Sequence, residues 1–413
     1  KVFRFGVDWG RLVPDPTKCR QTRCELDQGA VSRYKEIIGM VRELGMEPIV
    51  TLFHHSTPVW AKAMGGWVSE SLADQFVNFT RQAVLEFGSL VKYWITLNEP
   101  SVYSFLSYSA GVWPDRILGP NRDPLSIVCP RGSYCVANRS MADAHNRAYK
   151  LIHEIYSAND WSKPQVGIAH NMTRHIPSSI VERVQAVYLF RLWNWYLPDL
   201  IAGNLDFLGL NYYGVEHMDG LGIKMRDDRE YSESGRAVSP YHFYTLLKAY
   251  HKRYNIEKLN RDNRAELPFI VTENGISDGS DLIRPAYIVE HLKAMKAAMD
   301  EGVPVKGYIF WTVSDNWEWA DGYCPKFGLV AVDRTPDDLV REKRGSYDLF
   351  SAIATDRVVT VAQADRAWQL LESHIGKDRP FCRSADGYYA LDAPVARKLV
   401  DFDWRFSKSS PID

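Results

Sequence analysis

Residues Pro268–Gly275 read PFIVTENG, and this stretch decides the fold. Four apolar or β-branched residues, Phe269 to Thr272, form a run typical of a strand that is buried on both faces of a parallel sheet. The run ends at Glu273, and the Asn-Gly pair after it is a strong turn signal. A carboxylate at the end of a buried strand suits a catalytic acid, base or nucleophile. A strand-end glutamate paired with an arginine is the alternative.

Short apolar runs of the same kind alternate with segments of helical spacing along the chain. This alternation predicts βαβ units and a parallel sheet. Seven strands predict an α/β fold of the (β/α)8 TIM barrel type, with the first strand missing from this chain. A doubly wound sheet is the runner-up, but it would carry a Gly-rich turn after its first strand, and none is present. The predicted strands are residues 2–9, 48–53, 93–97, 165–170, 205–210, 268–273 and 305–311.

The helices expected between and after these strands are residues 28–44, 69–87, 139–157, 180–202, 241–254, 285–300, 346–355 and 361–374. Nothing resembling a low-complexity linker divides the chain. We therefore predict one barrel domain over residues 1–375 and an irregular C-terminal extension, residues 376–413, packed on the barrel.

Composition limits the classes of function. The 413 residues are 46% hydrophobic and 13% aromatic, which is ample for a large core, and the net charge is -1. Without a basic bias, nucleic acid is not expected as a partner. No run of about 18 apolar residues is present, so no membrane-spanning helix is predicted within these residues. The chain opens on Lys1 inside a strand-like run, and we expect further sequence before it.

Six cysteines are present: Cys19, Cys24, Cys129, Cys135, Cys324 and Cys382. The first four form two local pairs, 19 with 24 and 129 with 135, each of which could close a small disulfide. Free thiols in a reducing compartment are the favoured alternative. No histidine cluster at zinc spacing accompanies them, so no metal site is expected.

Polar and aromatic residues follow the predicted strands at the ends where barrel enzymes carry their active sites. Two of these residues, Glu99 and Glu273, are acids that follow strands well apart around the ring. Two carboxyl groups about 5–5.5 Å apart on either side of a sugar perform retaining glycosyl transfer. For Glu99 alone, a salt-bridged strand-end glutamate is the alternative. The strand ends read His54-His55, Asn98-Glu99, His170-Asn171, Asn211-Tyr212-Tyr213, Glu273-Asn274 and Trp311.

The segment Trp311–Trp319 reads WTVSDNWEW and predicts a sugar platform. Indole faces pack on the apolar face of a pyranose, and the Glu318 carboxylate can accept two hydroxyl hydrogens. A Trp-rich corner of the core is the alternative. His54 is ambiguous between a structural group and a sugar contact. Arg4, between two phenylalanines of the first strand, needs a carboxylate partner if buried, and Glu273 is the candidate.

These motifs resemble glycoside hydrolase family 1, the β-glucosidase family. The matching segments are residues 3–9 (FRFGVDW), 96–100 (TLNEP), 211–213 (NYY), 271–275 (VTENG), 307–311 (GYIFW), 315–319 (DNWEW) and 326–329 (KFGL). The resemblance covers about residues 1–375.

The resemblance assigns roles to individual residues. It implies that Glu99 is the acid/base and Glu273 the nucleophile of a two-carboxylate mechanism that requires no cofactor. Sugar contacts are implied for five residues: His54, Asn98, Trp311, Glu318 and Trp319. Arg4, Asn211 and Tyr213 are implied to orient or tune the nucleophile.

Two departures narrow the match. The family's first strand, which supplies a sugar-binding glutamine, is absent, and His54-His55-Ser56 stands where most members read His-Trp-Asp. The sequence His54-His55-Ser56 is similar to that of one branch of plant galactolipid galactosyltransferases. Three further segments share this similarity: residues 65–67 (GGW), 231–236 (YSESGR) and 400–406 (VDFDWRF). That branch implies transfer of galactose between monogalactosyldiacylglycerol molecules at the chloroplast outer envelope, with the membrane anchor outside this chain.

Two other functions stay open at this point. A soluble retaining β-glucosidase or β-galactosidase would share every catalytic residue and use water as the acceptor. A non-catalytic sugar- or lipid-binding homologue is the second alternative, although both acids are present.

Overall fold

The computed structural model describes residues 1–20, 23–113, 124–220, 222–226, 229–261, 264–335, 338–382 and 395–398. Seven strands form one sheet, and their order in the sheet is their order in the chain. They are β1 (Val2–Gly6), β2 (Glu47–Phe53), β3 (Tyr93–Asn98), β4 (Gln165–Asn171), β5 (Phe207–Tyr212), β6 (Phe269–Asn274) and β7 (Val305–Phe310).

The order of the sheet distinguishes the two predicted architectures. Strands β1 to β5 pair in parallel with their chain neighbours, for example Arg4 opposite Ile49 and Thr51 opposite Ile95. A doubly wound sheet reverses its strand order at a switch point, whereas a (β/α) barrel keeps adding strands in one direction. The observed order never reverses, which confirms the barrel-type prediction. The described residues supply seven strands of the eight in a complete barrel of this type.

Helices connect the strands. They are α1 (Trp9–Leu12), α2 (Gln28–Glu43), α3 (Val59–Ala63), α4 (Glu70–Phe87), α5 (Pro100–Tyr108), α6 (Ser133–Ala158), α7 (Ile180–Asn194), α8 (Tyr196–Ile201), α9 (Pro240–His251), α10 (Arg284–Asp300), α11 (Gly345–Asp356) and α12 (Val361–Glu372).

Two predicted elements end earlier than expected, each for a local reason. The first strand ends at Gly6, because the Asp8 carboxylate accepts the Arg11 backbone N–H at 2.7 Å and caps α1. The helix predicted over 180–202 is broken between Asn194 and Tyr196. Pro198 explains the break, since its ring clashes with the carbonyl four residues earlier and it offers no N–H to a continuous helix.

The chain forms two compact units. The first comprises Lys1–Asn171, Trp193–Asn211 and Glu257–Thr272. Its core contains a cluster of aromatic rings under α4. Trp9 stacks on Phe79 with 5.4 Å between ring centroids and meets Phe76 edge-on at 5.6 Å, and Trp67 packs beside them. All four rings are fully buried or nearly so, so this cluster holds the start of the chain against α4.

The second unit comprises Met172–Leu192, Tyr212–Ile256 and the chain from Glu273 onward. One of its apolar clusters joins α10 to β7 and α11 through Ile288, Phe310, Leu329 and Ile353. A small three-stranded sheet (His175–Ile176, Glu216–Asp219 and Gly222–Ile223) lies in the same unit.

Part of the predicted C-terminal extension forms a pair of short strands. Asp378–Phe381 pairs antiparallel with Val395–Lys398, and the buried Arg379 forms an ion pair with the buried Glu230. The rest of the predicted extension after Lys398, and residues 383–394, lie outside the described residues.

Four cysteines are disulfide-bonded, so the expectation of free thiols is wrong for Cys129 and Cys135. Cys129 is bonded to Cys135 and Cys324 to Cys382, with Cα–Cα distances of 5.6 and 5.8 Å. The side chains of Cys19 and Cys24 lie outside the described residues. In the part of the chain that the structure describes, no helix is both long and apolar enough to cross a bilayer.

Candidate active site

Glu99 lies at the end of β3, where the strand turns into α5. Its backbone takes the left-handed conformation, with φ at 41°, and its N–H donates to the Ala169 carbonyl at 2.7 Å. The pairing of β3 with β4 shifts register between Ile95 and Asn98, just before this turn. Such bulges change the direction of side chains near active sites. Pro100 is the first residue of α5, where a backbone N–H would have no partner within the helix, so its missing N–H loses no hydrogen bond. The result is a glutamate that is only 8% exposed at a strand end.

Two amide side chains bind the same oxygen of the Glu99 carboxylate. Asn171 Nδ2 and Asn211 Nδ2 donate to Glu99 Oε1 at 2.9 and 3.0 Å. Each amide is itself held, because Trp193 Nε1 donates to Asn171 Oδ1 at 3.1 Å and Thr272 Oγ1 donates to Asn211 Oδ1 at 2.6 Å. Both donors are neutral, so they orient the carboxylate without adding a positive charge.

Arg4 extends from β1 into a network of neutral acceptors. Its guanidinium donates to Asn98 Oδ1 at 2.5 Å, to Thr51 Oγ1 at 3.1 Å and to the Thr272 carbonyl at 3.2 Å. Asn98 Oδ1 also accepts from Asn211 Nδ2 at 3.3 Å. These bonds hold Asn98 in one orientation next to Glu99. The predicted pairing of Arg4 with Glu273 stays a prediction.

The two histidines after β2 are neutral at physiological pH. Burial and the positive charge of Arg4 lower the pKa of His55 to about 3. Burial, His55 and Arg4 together lower the pKa of His54 well below its ordinary value. His55 stacks on Tyr103 and packs on Trp113, with ring centroids 5.7 and 4.6 Å apart. The family's tryptophan is thus replaced by a smaller aromatic ring within an aromatic cluster.

Glu273 lies near the end of β6 and is 3% exposed. The Tyr213 hydroxyl donates to Glu273 Oε2 at 2.5 Å, a short hydrogen bond of the charge-assisted kind. The Tyr213 ring packs edge-on against Phe327, with 5.7 Å between ring centroids. A rigid ring with a single hydroxyl therefore fixes one oxygen of this carboxylate.

Asn274 and Gly275 connect this strand to its neighbours. Asn274 Nδ2 donates to the Tyr212 carbonyl at 2.6 Å, and its Oδ1 accepts from Tyr308 at 2.7 Å. A Cβ at Gly275 would lie 1.9 Å from the Trp311 carbonyl oxygen. Only glycine permits that approach of the two backbones, which explains the Asn-Gly pair in physical terms.

Hydrogen bonds connect residues within the predicted sugar platform. Trp311 Nε1 donates to Glu318 Oε1 at 3.1 Å. Burial raises the pKa of the Glu318 carboxyl to about 7, and the negative charges of Glu273 and Asp321 add to the shift, against hydrogen bonds from Asn316 and Trp311. The influence of Glu273 indicates that the two carboxyl groups share one local environment.

The loop that carries Glu318 is anchored on both sides. Asp315 accepts two hydrogen bonds from Arg344, at 3.0 and 2.9 Å, and one from the Gly328 backbone at 2.9 Å. Further along, the buried Glu233 accepts from the Lys326 backbone at 3.1 Å. These bonds explain the DNWEW and KFGL motifs as parts of one folded loop, which positions Glu318 and Trp319.

Several of the site residues predicted from the sequence contact one another in the structure. Within the first unit, Arg4, Asn98 and Glu99 lie in one connected network, and within the second, Tyr213 contacts Glu273 and Trp311 contacts Glu318. The Asn211 amide group contacts Glu99, and its predicted role in orienting the nucleophile stays a prediction. The sugar contacts predicted for His54, Asn98, Trp311, Glu318 and Trp319 stay predictions.

The motifs in the sequence indicate no role for Asn171 or Trp193. Both hold Glu99, directly or through one intermediate. The position of Asn171 at a strand end was the available signal, whereas Trp193 gave none. Within the described ranges, no three His, Cys, Asp or Glu side chains cluster in a way that would bind a metal ion.

Glycosyl hydrolase family 1 matches residues 1–203 and 197–358. The chain is 46% identical over 416 aligned positions, 98% of its length, to a galactolipid galactosyltransferase from Arabidopsis thaliana, SFR2, chloroplastic. It is 44% identical, again over 98% of its length, to a protein called beta-glucosidase-like SFR2, chloroplastic, from Oryza sativa subsp. japonica. The chain spans 64% and 62% of the lengths of these two relatives.

Solved structures show the same fold. A beta-glycosidase from Pyrococcus horikoshii superposes with a TM-score of 0.73 at 28% identity, over 89% of this chain and 83% of that one. That similarity confirms the predicted TIM-barrel fold. With most of its length matched, and with two strand-end glutamates in the motifs of the family, the chain belongs to glycosyl hydrolase family 1.

Proposed function

We propose that this chain is the catalytic part of a galactolipid galactosyltransferase. The observation that carries the proposal is the 46% identity, over 98% of the chain, with a galactolipid galactosyltransferase. The proposed donor and acceptor are both monogalactosyldiacylglycerol, and the products are diacylglycerol and an oligogalactolipid. Glu273 is the proposed nucleophile and Glu99 the proposed acid/base.

In the first step the Glu273 carboxylate attacks the anomeric carbon of the donor galactose. The bond between that carbon and the glycerol oxygen breaks, and Glu99 gives its proton to the departing oxygen, which leaves as diacylglycerol. The hydrogen bond from Tyr213 supports this role for Glu273, because it fixes the orientation of the carboxylate before attack.

In the second step a sugar hydroxyl of another galactolipid attacks the same carbon. Its proton passes to the Glu99 carboxylate, the ester to Glu273 breaks, and the two inversions retain the β configuration. Two amide donors on Glu99 Oε1 support a group that must lose and regain a proton. An oxygen that already accepts two N–H groups is the poorer site for a proton, so the second oxygen is the one that exchanges it.

The platform residues complete the proposal. Trp311 and Trp319 pack on the sugar, Glu318 accepts its hydroxyl hydrogens, and His54 and Asn98 make further hydrogen bonds with it. The neutral state of His54 supports this role, since a neutral imidazole both donates and accepts. Arg4 is proposed to hold Asn98 and to lie close to the nucleophile. The chemistry requires no cofactor.

The proposed place of action is the surface of the chloroplast outer envelope. Two relatives carry the word chloroplastic in their names, and the galactolipid substrate is a membrane lipid. The partner of the protein is therefore a lipid surface as well as the galactolipid molecule itself.

One experiment tests the proposal against its alternatives. The protein is incubated with monogalactosyldiacylglycerol, and the lipids are separated on a thin-layer plate. Diacylglycerol and oligogalactolipids are expected together. Free galactose without oligogalactolipids would support a retaining β-glycosidase that uses water, the second candidate, which shares the family and both acids.

A further inference from the structure

Helix α7 carries an exposed apolar face. Ile180, Val181, Val184, Val187 and Tyr188 are 81%, 70%, 73%, 57% and 45% exposed. These five residues recur at the spacing of one side of a helix, and together we call them the α7 face. The outward side of a barrel helix is ordinarily polar, and valine and isoleucine are poor helix formers, so neither solubility nor helix formation explains their presence here.

The exposed charges on α7 are positive. Its acidic residue, Glu182, is buried and accepts the backbone N–H groups of Ser178, Ser179 and Gly220 at 2.6 to 3.0 Å. The exposed charges of the helix are those of Arg183 and Arg191. Neither arginine forms an ion pair within the described part of the chain. The outer side of α7 is therefore apolar and cationic.

The neighbouring hairpin joins the start of α7 through the bond from Gly220 to Glu182. Among its described residues Lys224, Arg226 and Asp219 are exposed, and Asp227 and Asp228 follow Arg226 in the sequence, so the hairpin adds no clear excess of positive charge. The positive charge that complements a negatively charged surface is therefore that of Arg183 and Arg191 on α7.

The same helix leads directly to the candidate acid/base. Its last turn contains Trp193, whose indole N–H donates to Asn171, and Asn171 donates to Glu99. The α7 face ends at Tyr188, five residues before Trp193, which is about 7–8 Å along the helix axis at 1.5 Å per residue. A surface that binds the α7 face would contact the same helix whose last turn carries Trp193.

We propose that the α7 face docks on the surface of a lipid bilayer that contains anionic lipids. An apolar stripe flanked by arginines is the composition of helices that lie in the interface of a membrane, with the apolar side among the acyl chains and the cations at the headgroups. The inference rests on the proposed function, because a galactolipid donor is itself a bilayer lipid. It adds the surface by which the protein reaches that donor.

Vesicle sedimentation tests the docking. The probe is vesicles of phosphatidylcholine with phosphatidylglycerol, and the variant is Val181→Ser combined with Val184→Ser. The matched control is Val358→Ser combined with Val361→Ser, two valines that are 55% and 77% exposed elsewhere in the second unit. Circular dichroism and the melting temperature verify that each variant is folded.

The expected result is binding of the wild-type and control proteins to the vesicles, with binding of the α7 variant weaker by about tenfold or more. Replacing phosphatidylglycerol with phosphatidylcholine should weaken wild-type binding, because the arginines lose their attraction to the surface. Equal binding of the α7 variant and the wild type would overturn the inference. A wild-type dimer in lipid-free sedimentation that the α7 variant loses would also overturn it, since the face would then join two copies.

The docking and the proposed function can be refuted by different results. A protein that binds vesicles but makes no oligogalactolipid would keep the docking face and refute the transferase proposal. A protein that makes oligogalactolipid from detergent-dispersed substrate but does not bind vesicles would refute the docking face alone.

Discussion

Glu99 and Glu273 are both buried glutamates at strand ends, but their hydrogen-bond donors differ. Glu99 receives two amide N–H groups on one oxygen, from Asn171 and Asn211. Glu273 receives a tyrosine hydroxyl at 2.5 Å, and its own negative charge contributes to raising the pKa of Glu318. The difference matches the two proposed tasks. An acid/base has to exchange a proton in every cycle, whereas a nucleophile has to stay ionised and aimed.

Replacing the nucleophile is the most severe test of this contrast. We expect Glu273→Gln to lower kcat/KM for an aryl β-galactoside by about 10⁴-fold or more, because an amide cannot form the glycosyl ester. The matched control is Glu342→Gln, which changes an exposed glutamate and should leave the rate unchanged. Normal activity in Glu273→Gln would mean that the reaction does not pass through this residue and would favour the non-catalytic alternative for the site.

Glu99→Gln should show a different pattern. We expect a loss of about 10²–10⁴-fold for substrates whose leaving group needs a proton, as for general acid catalysis. A dinitrophenyl β-galactoside has a leaving group that needs no proton. With this substrate the first step in Glu99→Gln should therefore be faster than with the other substrates. Glu36→Gln, at an exposed ion pair with Arg33, serves as control. Equal losses with both substrates would remove the distinction between the two glutamates.

Tyr213→Phe removes the hydroxyl from Glu273 and keeps the ring against Phe327. A hydrogen bond to a charged group contributes about 1.5–3 kcal/mol, so kcat should fall about 10–100-fold. The control is Tyr196→Phe, which removes an exposed hydroxyl bonded to Arg139 at 3.1 Å. If kcat is unchanged and only KM rises, the hydroxyl serves substrate binding and does not orient the nucleophile.

Glu318→Gln should give the smallest effect, seen best in the dependence on pH. The pKa of Glu318 is about 7, so its carboxylate accepts sugar hydroxyls fully only above that pH. Wild-type KM should therefore fall as pH rises through about 7, and KM of the variant should not change there.

The same substitution has a defined effect on stability. A raised carboxyl pKa means that the folded protein holds more protons than the unfolded chain between about pH 4.5 and 7, so this group lowers stability as pH rises through that range. The melting temperature of Glu318→Gln, relative to the wild type, should therefore rise between about pH 5 and pH 8. A constant difference in melting temperature would show that Glu318 does not titrate in this range.

Much of the fold could be predicted from the sequence because its signals are local. The apolar run 269–272 and the Asn-Gly turn after it are read within eight residues, and the other strands repeat that pattern. The break between α7 and α8 was missed, although Pro198 was a visible signal for it. The disulfide between Cys324 and Cys382 joins residues far apart in the chain, and spacing alone does not indicate such a pair.

Prediction of the site was limited in the same way. Glu99 and Glu273 stand in local motifs, whereas the partner of each is chosen by the three-dimensional arrangement. Asn211 illustrates this, since it lies only two residues before Tyr213, yet its amide contacts Glu99 while the Tyr213 hydroxyl contacts Glu273. Strand alternation would place residues 211 and 213 on the same side, but the strand β5 ends at Tyr212, so this rule does not fix the direction of the Tyr213 side chain.

The close approach of Gly275 to the Trp311 carbonyl restricts how this protein can evolve. Every other amino acid at position 275 brings a Cβ to 1.9 Å from that oxygen, so no change there is neutral unless the backbone at Trp311 moves with it. Trp311 in turn donates to Glu318. The turn beside the nucleophile and the residues proposed to select the sugar therefore cannot drift independently, and a new donor preference has to arise at other positions around the sugar.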